Sequence, residues 1–141
     1  MQALARQMPA LNDGEKVVFM GHGASHHAFA AYACLDHMMA VHHFPARVGA
    51  VESYPEIDVV IDSLRREGVS AVHMMPLMLV AGDHASKDMA SDDEESWKTQ
   101  FEHVGIAATP WLQGLGENSD IRAMFVAHLH QALSQQLEEA A

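Results

Sequence analysis

Three apolar, strand-like runs in this chain each stop on a side chain able to bind a metal ion. Val17-Val18-Phe19-Met20 runs into Gly21-His22-Gly23, Arg47-Val48-Gly49-Ala50-Val51 into Glu52, and the stretch from Val72 to Val80 into Gly82-Asp83-His84. Glu52 follows His22 by 30 residues and His84 follows Glu52 by 32, and each interval has room for a helix, a turn and a strand. Successive strands of a parallel α/β sheet point the same way, so their carboxyl ends share one edge, where open α/β folds form their ligand crevice. His22, Glu52 and His84 are therefore expected to converge. Two imidazoles and a carboxylate with open positions suit a borderline divalent cation: Co²⁺, Ni²⁺, Fe²⁺ or Zn²⁺.

The elements that must position these residues follow from the pattern. Residues 1–11 read as a short helix that ends before the turn signal Asn12-Asp13-Gly14. The first strand is Lys16 to Met20, and a helix runs from about Ser25 to His42. Arg47 to Val51 is the second strand. Tyr54-Pro55-Glu56 opens a helix that reaches Arg66 and closes at Gly68. The third strand begins at Ala71 and reads on to Val80, apolar on both faces as a covered central strand should be, with Pro76 predicting an irregular or bulged pairing. Ser91 to His103 reads as a helix with Ser91 as its N-cap, Ile106 to Leu112 as the fourth strand, and Asp120 to Glu138 as a final amphipathic helix. Strands alternating with helices predict a doubly wound, mainly parallel four-stranded α/β sheet covered on both faces. Residues 1–14 form a connecting segment in this reading, and residues 15–141 the domain.

Composition narrows the function. A chain of 141 residues is one domain by length and buries roughly two thirds of its unfolded surface. No apolar run approaches the length of a membrane span, and the first residues lack the pattern of a signal peptide, so the expected compartment is the cytoplasm, with the periplasm as the alternative. A net charge of −11 with only 8 Lys and Arg makes nucleic acid an unfavourable partner and cations favourable ones. The acidic residues Asp83, Asp88, Asp92, Asp93, Glu94 and Glu95 surround His84; they read either as the acidic first turn of a helix or as a funnel for metal cations. The single cysteine, Cys34, falls at mid-helix and reads as a small buried apolar residue. No Gly-x-Gly-x-x-Gly, Gly-Lys-Ser/Thr or Gly-x-Ser-x-Gly occurs, which disfavours phosphate-loop and serine-hydrolase chemistry.

Most of the 11 histidines need no special role. His37, His42, His43, His103, His128 and His130 read as solvated, and His73, inside a strand pattern, as a satisfied buried histidine. His26 and His27 follow the glycine loop, where one of them could reach the site as a supporting group. His22 and His84 differ because each sits beside glycine at a strand end, where the backbone can turn sharply and a ligand can approach.

At these residues the chain resembles a known family. Val17-Val18-Phe19-Met20-Gly21-His22-Gly23, Val51-Glu52-Ser53-Tyr54-Pro55-Glu56 and Met75-Pro76-Leu77-Met78-Leu79-Val80-Ala81-Gly82-Asp83-His84-Ala85 closely resemble segments of the anaerobic-pathway cobalt chelatases. Asp88-Met89-Ala90 and Ser96-Trp97-Lys98 continue the likeness. Those enzymes act on sirohydrochlorin and belong to the class II tetrapyrrole chelatases, alongside the ferrochelatases. The resemblance covers about residues 15 to 130 and implies that His22, Glu52 and His84 hold the metal. It implies Co²⁺ as the substrate metal, with Fe²⁺, Ni²⁺ or Zn²⁺ as alternatives, no organic cofactor, and a sirohydrochlorin-type tetrapyrrole as the other substrate.

Two departures from the family matter. Its members usually contain two similar α/β halves around the site, and this chain resembles the carboxyl-terminal half, so a homodimer or an amino-terminal half of the same enzyme is expected to supply the second wall. Ala24 stands where a hydroxyl residue is expected after Gly-His-Gly, which removes a supporting hydrogen bond. A non-catalytic metal, tetrapyrrole or haem carrier using the same residues is the competing reading.

Overall fold

Runs of β-branched and other bulky apolar residues build the centre of the sheet. In the computed structural model, which describes residues 1–139 and the side chains of residues 1–136, β1 (Glu15–Gly21) and β3 (Ala71–Pro76) lie side by side and are almost wholly buried. β2 (Ala46–Ala50) flanks β1, and β4 (Ala107–Pro110) flanks β3, giving the order β2-β1-β3-β4 with every pairing parallel. The doubly wound parallel sheet expected from the sequence is present. The last two residues of the expected 15–141 domain lie outside the described residues.

Alternation along the strands sends side chains to two cores. Val18, Met20, Val72 and Met74 point to one face, where they meet Val60, Ile61 and Leu64 of α3 (Ile57–Arg66) and Trp97 and Phe101 of α4 (Trp97–His103). Val17, Phe19, Val48 and Met75 point to the other, against Met39 of α2 (Ala30–Val41) and Leu4 of α1 (Gln2–Gln7). α3 forms as read: its apolar stripe repeats at helical spacing, Arg65 and Arg66 complement the dipole in its last turn, and Gly68 leaves it at φ +71°.

Several expectations are corrected. β3 ends at Pro76, where the missing N–H falls at the strand terminus and the register with Met20 is unbroken, so there is no bulge. The apolar run beyond it is loop: Leu79 and Val80 are exposed, and the carbonyls of Met78 and Leu79 accept from Leu115 and Gly116. His84–Met89 forms a single π-helical turn. The helix expected from Ser91 starts instead at Trp97, capped by the Ser96 hydroxyl, which accepts from the Thr99 N–H. The acidic residues 92–95 thus lie in turns before α4 rather than in its first turn. α2 begins at Ala30, after a 3₁₀ turn at His27–Phe29, and β4 is shorter than the expected 106–112. Cys34 is exposed on α2, not buried.

The final helix, α5 (Ser119–Glu139), is present but does not pack its length on the sheet. Every residue from 122 to 136 is exposed, Phe125 and Leu129 among them, so this stretch has no buried apolar face of the expected amphipathic kind. α1 is docked where the chain turns into α5, through Arg6–Asp120 and the Asn118 side-chain amide, which donates to the Ala3 carbonyl. Among the described residues no helix is long and apolar enough to cross a membrane.

Candidate metal centre

The parallel ladder does not stop at the end of β1. Val51 donates to the Gly21 carbonyl at 3.0 Å and Glu52 to the His22 carbonyl at 2.9 Å, two further rungs that set His22 beside Glu52. Glycine makes this approach possible on both sides of the histidine. The Tyr32 ring occupies the space a Cβ on Gly21 would need. Gly23 adopts φ +97°, and a Cβ there would meet Ser53 Oγ at 2.8 Å and Ser53 N at 2.9 Å. Ala24 has no hydroxyl, and its N–H donates to the hydroxyl of Ser53 at 3.3 Å, which ties the His22 loop to the Glu52 loop.

His84 arrives from β3 at the head of the π-helical turn. Ala85 and Met89, both fully buried, fasten the underside of that turn into the core with Trp97 and Phe101. One ligand atom each from His22, Glu52 and His84 lies within 4.8 Å of the others. The two imidazoles meet edge to face with centroids 4.6 Å apart, and His22 Nδ1 lies 3.6 Å from Glu52 Oε2. His22 Nδ1 also sits 3.3 Å from the Gly23 carbonyl, and His84 Nδ1 sits 2.6 Å from Asp88 Oδ2. All three residues reach solvent: the side chains of His22 and Glu52 are about half exposed (49% and 55%) and that of His84 less so (31%). Two imidazoles and a carboxylate, open on one side, are donors that fit a borderline divalent cation with positions left for exchange.

Of the residues read from the sequence, these three come together and the other histidines do not join them. His26 and His27 stack on each other with centroids 3.7 Å apart, and His26 Nδ1 accepts from the Ala28 N–H, so the pair organises its own loop. His73 is half-buried and bonded: it accepts from the Trp111 indole at 3.1 Å and faces Glu15 at 3.4 Å. In the sequence Asp88 reads only as one of the acidic residues around His84 and not as its hydrogen-bond partner, although its spacing of four from His84 is a signal for that. The contact of Ser53 had no signal in the sequence, since its partner is a backbone N–H from another loop.

Basic groups are scarce near the site. Lys87 is tied to Asp83 and Lys98 to Asp92, a pairing that holds the Asp92 carboxyl below its usual range and the Lys98 ammonium above its own. Arg122 caps the carbonyls of Gly116 and Glu117.

The parallel α/β domain thus brings two histidines and a carboxylate together at its strand ends, a candidate metal-holding cluster. Comparison with known proteins identifies the family. The family described as cobalt chelatase (CbiK) matches residues 1–134, and the chain belongs to that family. It is 76% identical over 141 residues to a sirohydrochlorin cobaltochelatase of Salmonella typhimurium, covering all of this chain and 53% of the relative. It is 35% identical over 133 residues to the sirohydrochlorin cobaltochelatase CbiKC of Nitratidesulfovibrio vulgaris, covering 94% of this chain and 47% of the relative. The chain thus spans about half the length of these curated relatives. Two solved structures share the fold at 18% identity. A cobalamin (vitamin B12) biosynthesis CbiX protein of Marinobacter aquaeolei matches with a TM-score of 0.59 over 89% of this chain and 98% of its own. The sirohydrochlorin chelatase SirB of Bacillus subtilis subspecies spizizenii, solved with cobalt, matches with a TM-score of 0.50 over 67% of this chain and 41% of its own.

Proposed function

We propose that this chain is the metal-holding half of a sirohydrochlorin cobaltochelatase, with His22, Glu52 and His84 presenting Co²⁺ to the macrocycle. The observation that carries the reading is the donor cluster at the strand ends, open to one side. Insertion exchanges two pyrrole N–H protons for the dication: Co²⁺ and the free macrocycle give the cobalt complex and two protons. The cation must therefore be held by few, displaceable donors with a proton acceptor nearby. Neutral imidazoles are such donors, and Glu52, beside His22, is placed to accept a proton as coordination passes to the macrocycle. Exposed Leu79 and Val80, in the loop leading to His84, offer apolar surface for a flat ring.

The reading also assigns residues 1–14 as a connection docked on the domain and places the reaction in the cytoplasm. It requires a second wall. Sirohydrochlorin is a polycarboxylate, and the lysines near the site are already paired. Basic groups on an amino-terminal half or a second subunit are thus needed to grip it. The openness of the cluster favours one alternative, a half that binds metal without inserting it. Mixing the chain with sirohydrochlorin and Co²⁺ and following the absorption change separates them: turnover supports the chelatase, and a stoichiometric change without turnover the carrier. Where turnover is found, Glu52→Ala is expected to abolish most of it at saturating Co²⁺, and an unchanged rate would overturn the role of Glu52.

A further inference from the structure

The two histidines of the cluster are held in different ways. His22 Nδ1 has the Gly23 carbonyl at 3.3 Å and the Glu52 carboxylate at 3.6 Å, both long contacts. His84 Nδ1 has a carboxylate oxygen at 2.6 Å, the length of a charge-assisted hydrogen bond. A carboxylate only accepts, so Nδ1 is the donor in this contact, and in the neutral ring that binds a metal the lone pair is left on Nε2. The contact is fixed by the backbone: His84 and Asp88 are four apart in the π-helical turn, and the residues that follow each of them, Ala85 and Met89, are locked in the core. Lys87, which could compete for Asp88, is engaged with Asp83 at 3.2 Å.

We propose that Asp88 is a positioning residue: it sets the tautomer and aim of His84, making His84 Nε2 the anchoring donor for the cation. The inference rests on the metal-holding reading of the cluster. An anion on the far nitrogen both orients an imidazole and strengthens its donor atom, and loss of such a partner typically weakens metal binding about 10–100-fold. Asparagine at position 88 keeps an acceptor of the same shape and loses the charge; alanine loses both.

The test is a cycle of Co²⁺ titrations of the chain, read from the visible ligand-field absorption, with far-UV circular dichroism to establish that each variant is folded. Asp88→Asn is expected to weaken Co²⁺ binding about tenfold or more in the parent chain and in His22→Ala, and Asp88→Ala more still. In His84→Ala it should change nothing further, because its only route to the metal is gone. A merely structural role predicts instead the same loss in all three backgrounds. Unchanged affinity in Asp88→Asn, or an equal loss on His84→Ala, overturns the proposal while leaving the metal site standing. Parent-chain Co²⁺ binding that is indifferent to His22→Ala, Glu52→Ala and His84→Ala overturns the site and the proposal together.

Discussion

At the amino-terminal edge of the sheet, Arg47 enters β2 with its guanidinium gripped at two points by Asp36, Nε at 2.8 Å and Nη2 at 2.7 Å, while Glu67 accepts from Nη1 at 2.9 Å and pairs with Lys16 of β1. Asp36 also accepts the Val48 N–H at 2.8 Å, so its oxygens close off the start of the strand. Every charge there has an opposite neighbour. At the carboxyl-terminal edge of the same strands, His22, Glu52 and His84 face one another with no Lys or Arg in an ion pair with any of them among the described residues. The same four-stranded sheet supports both edges, yet one edge uses polar groups to hold the chain together and the other leaves them available. The difference teaches where structural and candidate functional groups separate in an open α/β domain: charges paired with opposite charges mark the first, and ligand-type side chains gathered without a cation in partial solvent mark the second.

The sharpest way to break that comparison is to remove a carboxylate from each edge. Asp36→Ala takes the two-point grip from a guanidinium that is only 15% exposed, leaving it Glu67 and Ser63, and orphans the Val48 amide, so it is expected to lower the unfolding free energy by about 2–4 kcal/mol while leaving Co²⁺ affinity of the folded fraction intact. Glu52→Ala should do the reverse: stability within about 0.5 kcal/mol of the parent, because the side chain is exposed, and a clear loss of Co²⁺ binding. Denaturant midpoints and Co²⁺ titrations on both variants decide it. Comparable destabilisation by the two substitutions would erase the distinction between the edges.

A smaller effect sharpens the carboxyl-terminal edge itself. Gly23→Ala forces a Cβ into a left-handed backbone and against the Ser53 backbone, so a loss of about 1–3 kcal/mol is expected, along with weaker Co²⁺ binding as the His22 loop shifts. Gly82→Ala, where the added methyl meets open space, should stay within about 0.5 kcal/mol. Equal costs at the two glycines would mean that the His22 loop is not held by close backbone approach.

How much of this was legible in the sequence depends on whether a residue's role was set by its own segment. β1, β2, α3 and the three strand-end donors were readable because periodicity, Gly68 and the parallel rule all act locally or through topology. The Leu77–Val80 run misled because its apolar character serves a loop bonded to residues 115 and 116, a pairing no local pattern carries. The start of α4 was misplaced because Ser91 and Ser96 are both acceptable caps. Only burial of Trp97 at the first turn, beside Phe101 four residues on, selects Ser96. α5 had apolar residues enough to suggest a packed face, but its residues 122 to 136 are exposed, and the contacts of α1 to the start of α5 join residues more than a hundred apart, which no local pattern carries.

The smallest predicted effect concerns protons, and it belongs to the amino-terminal edge. Burial alone would push the Glu67 carboxyl up, but the hydrogen bond and charge of Lys16, the Ser63 hydroxyl and the Arg47 guanidinium outweigh it and hold Glu67 below its ordinary value of 4.5. A depressed carboxylate contributes stability in full above its unfolded value and loses it as pH falls through the lower folded value, because the unfolded chain takes up the proton first. The side chain is 36% exposed, so solvent screening keeps this contribution under about 1 kcal/mol. Comparing the parent with Glu67→Gln isolates it from every other titrating group. The parent should be the more stable at about pH 7, and the gap should close as the pH is lowered from about 4.5 towards 3. A gap that persists unchanged at low pH would mean that Glu67 acts through packing and its hydrogen bond to Ser63, and that the charged lattice at this edge contributes little beyond the Arg47–Asp36 pair.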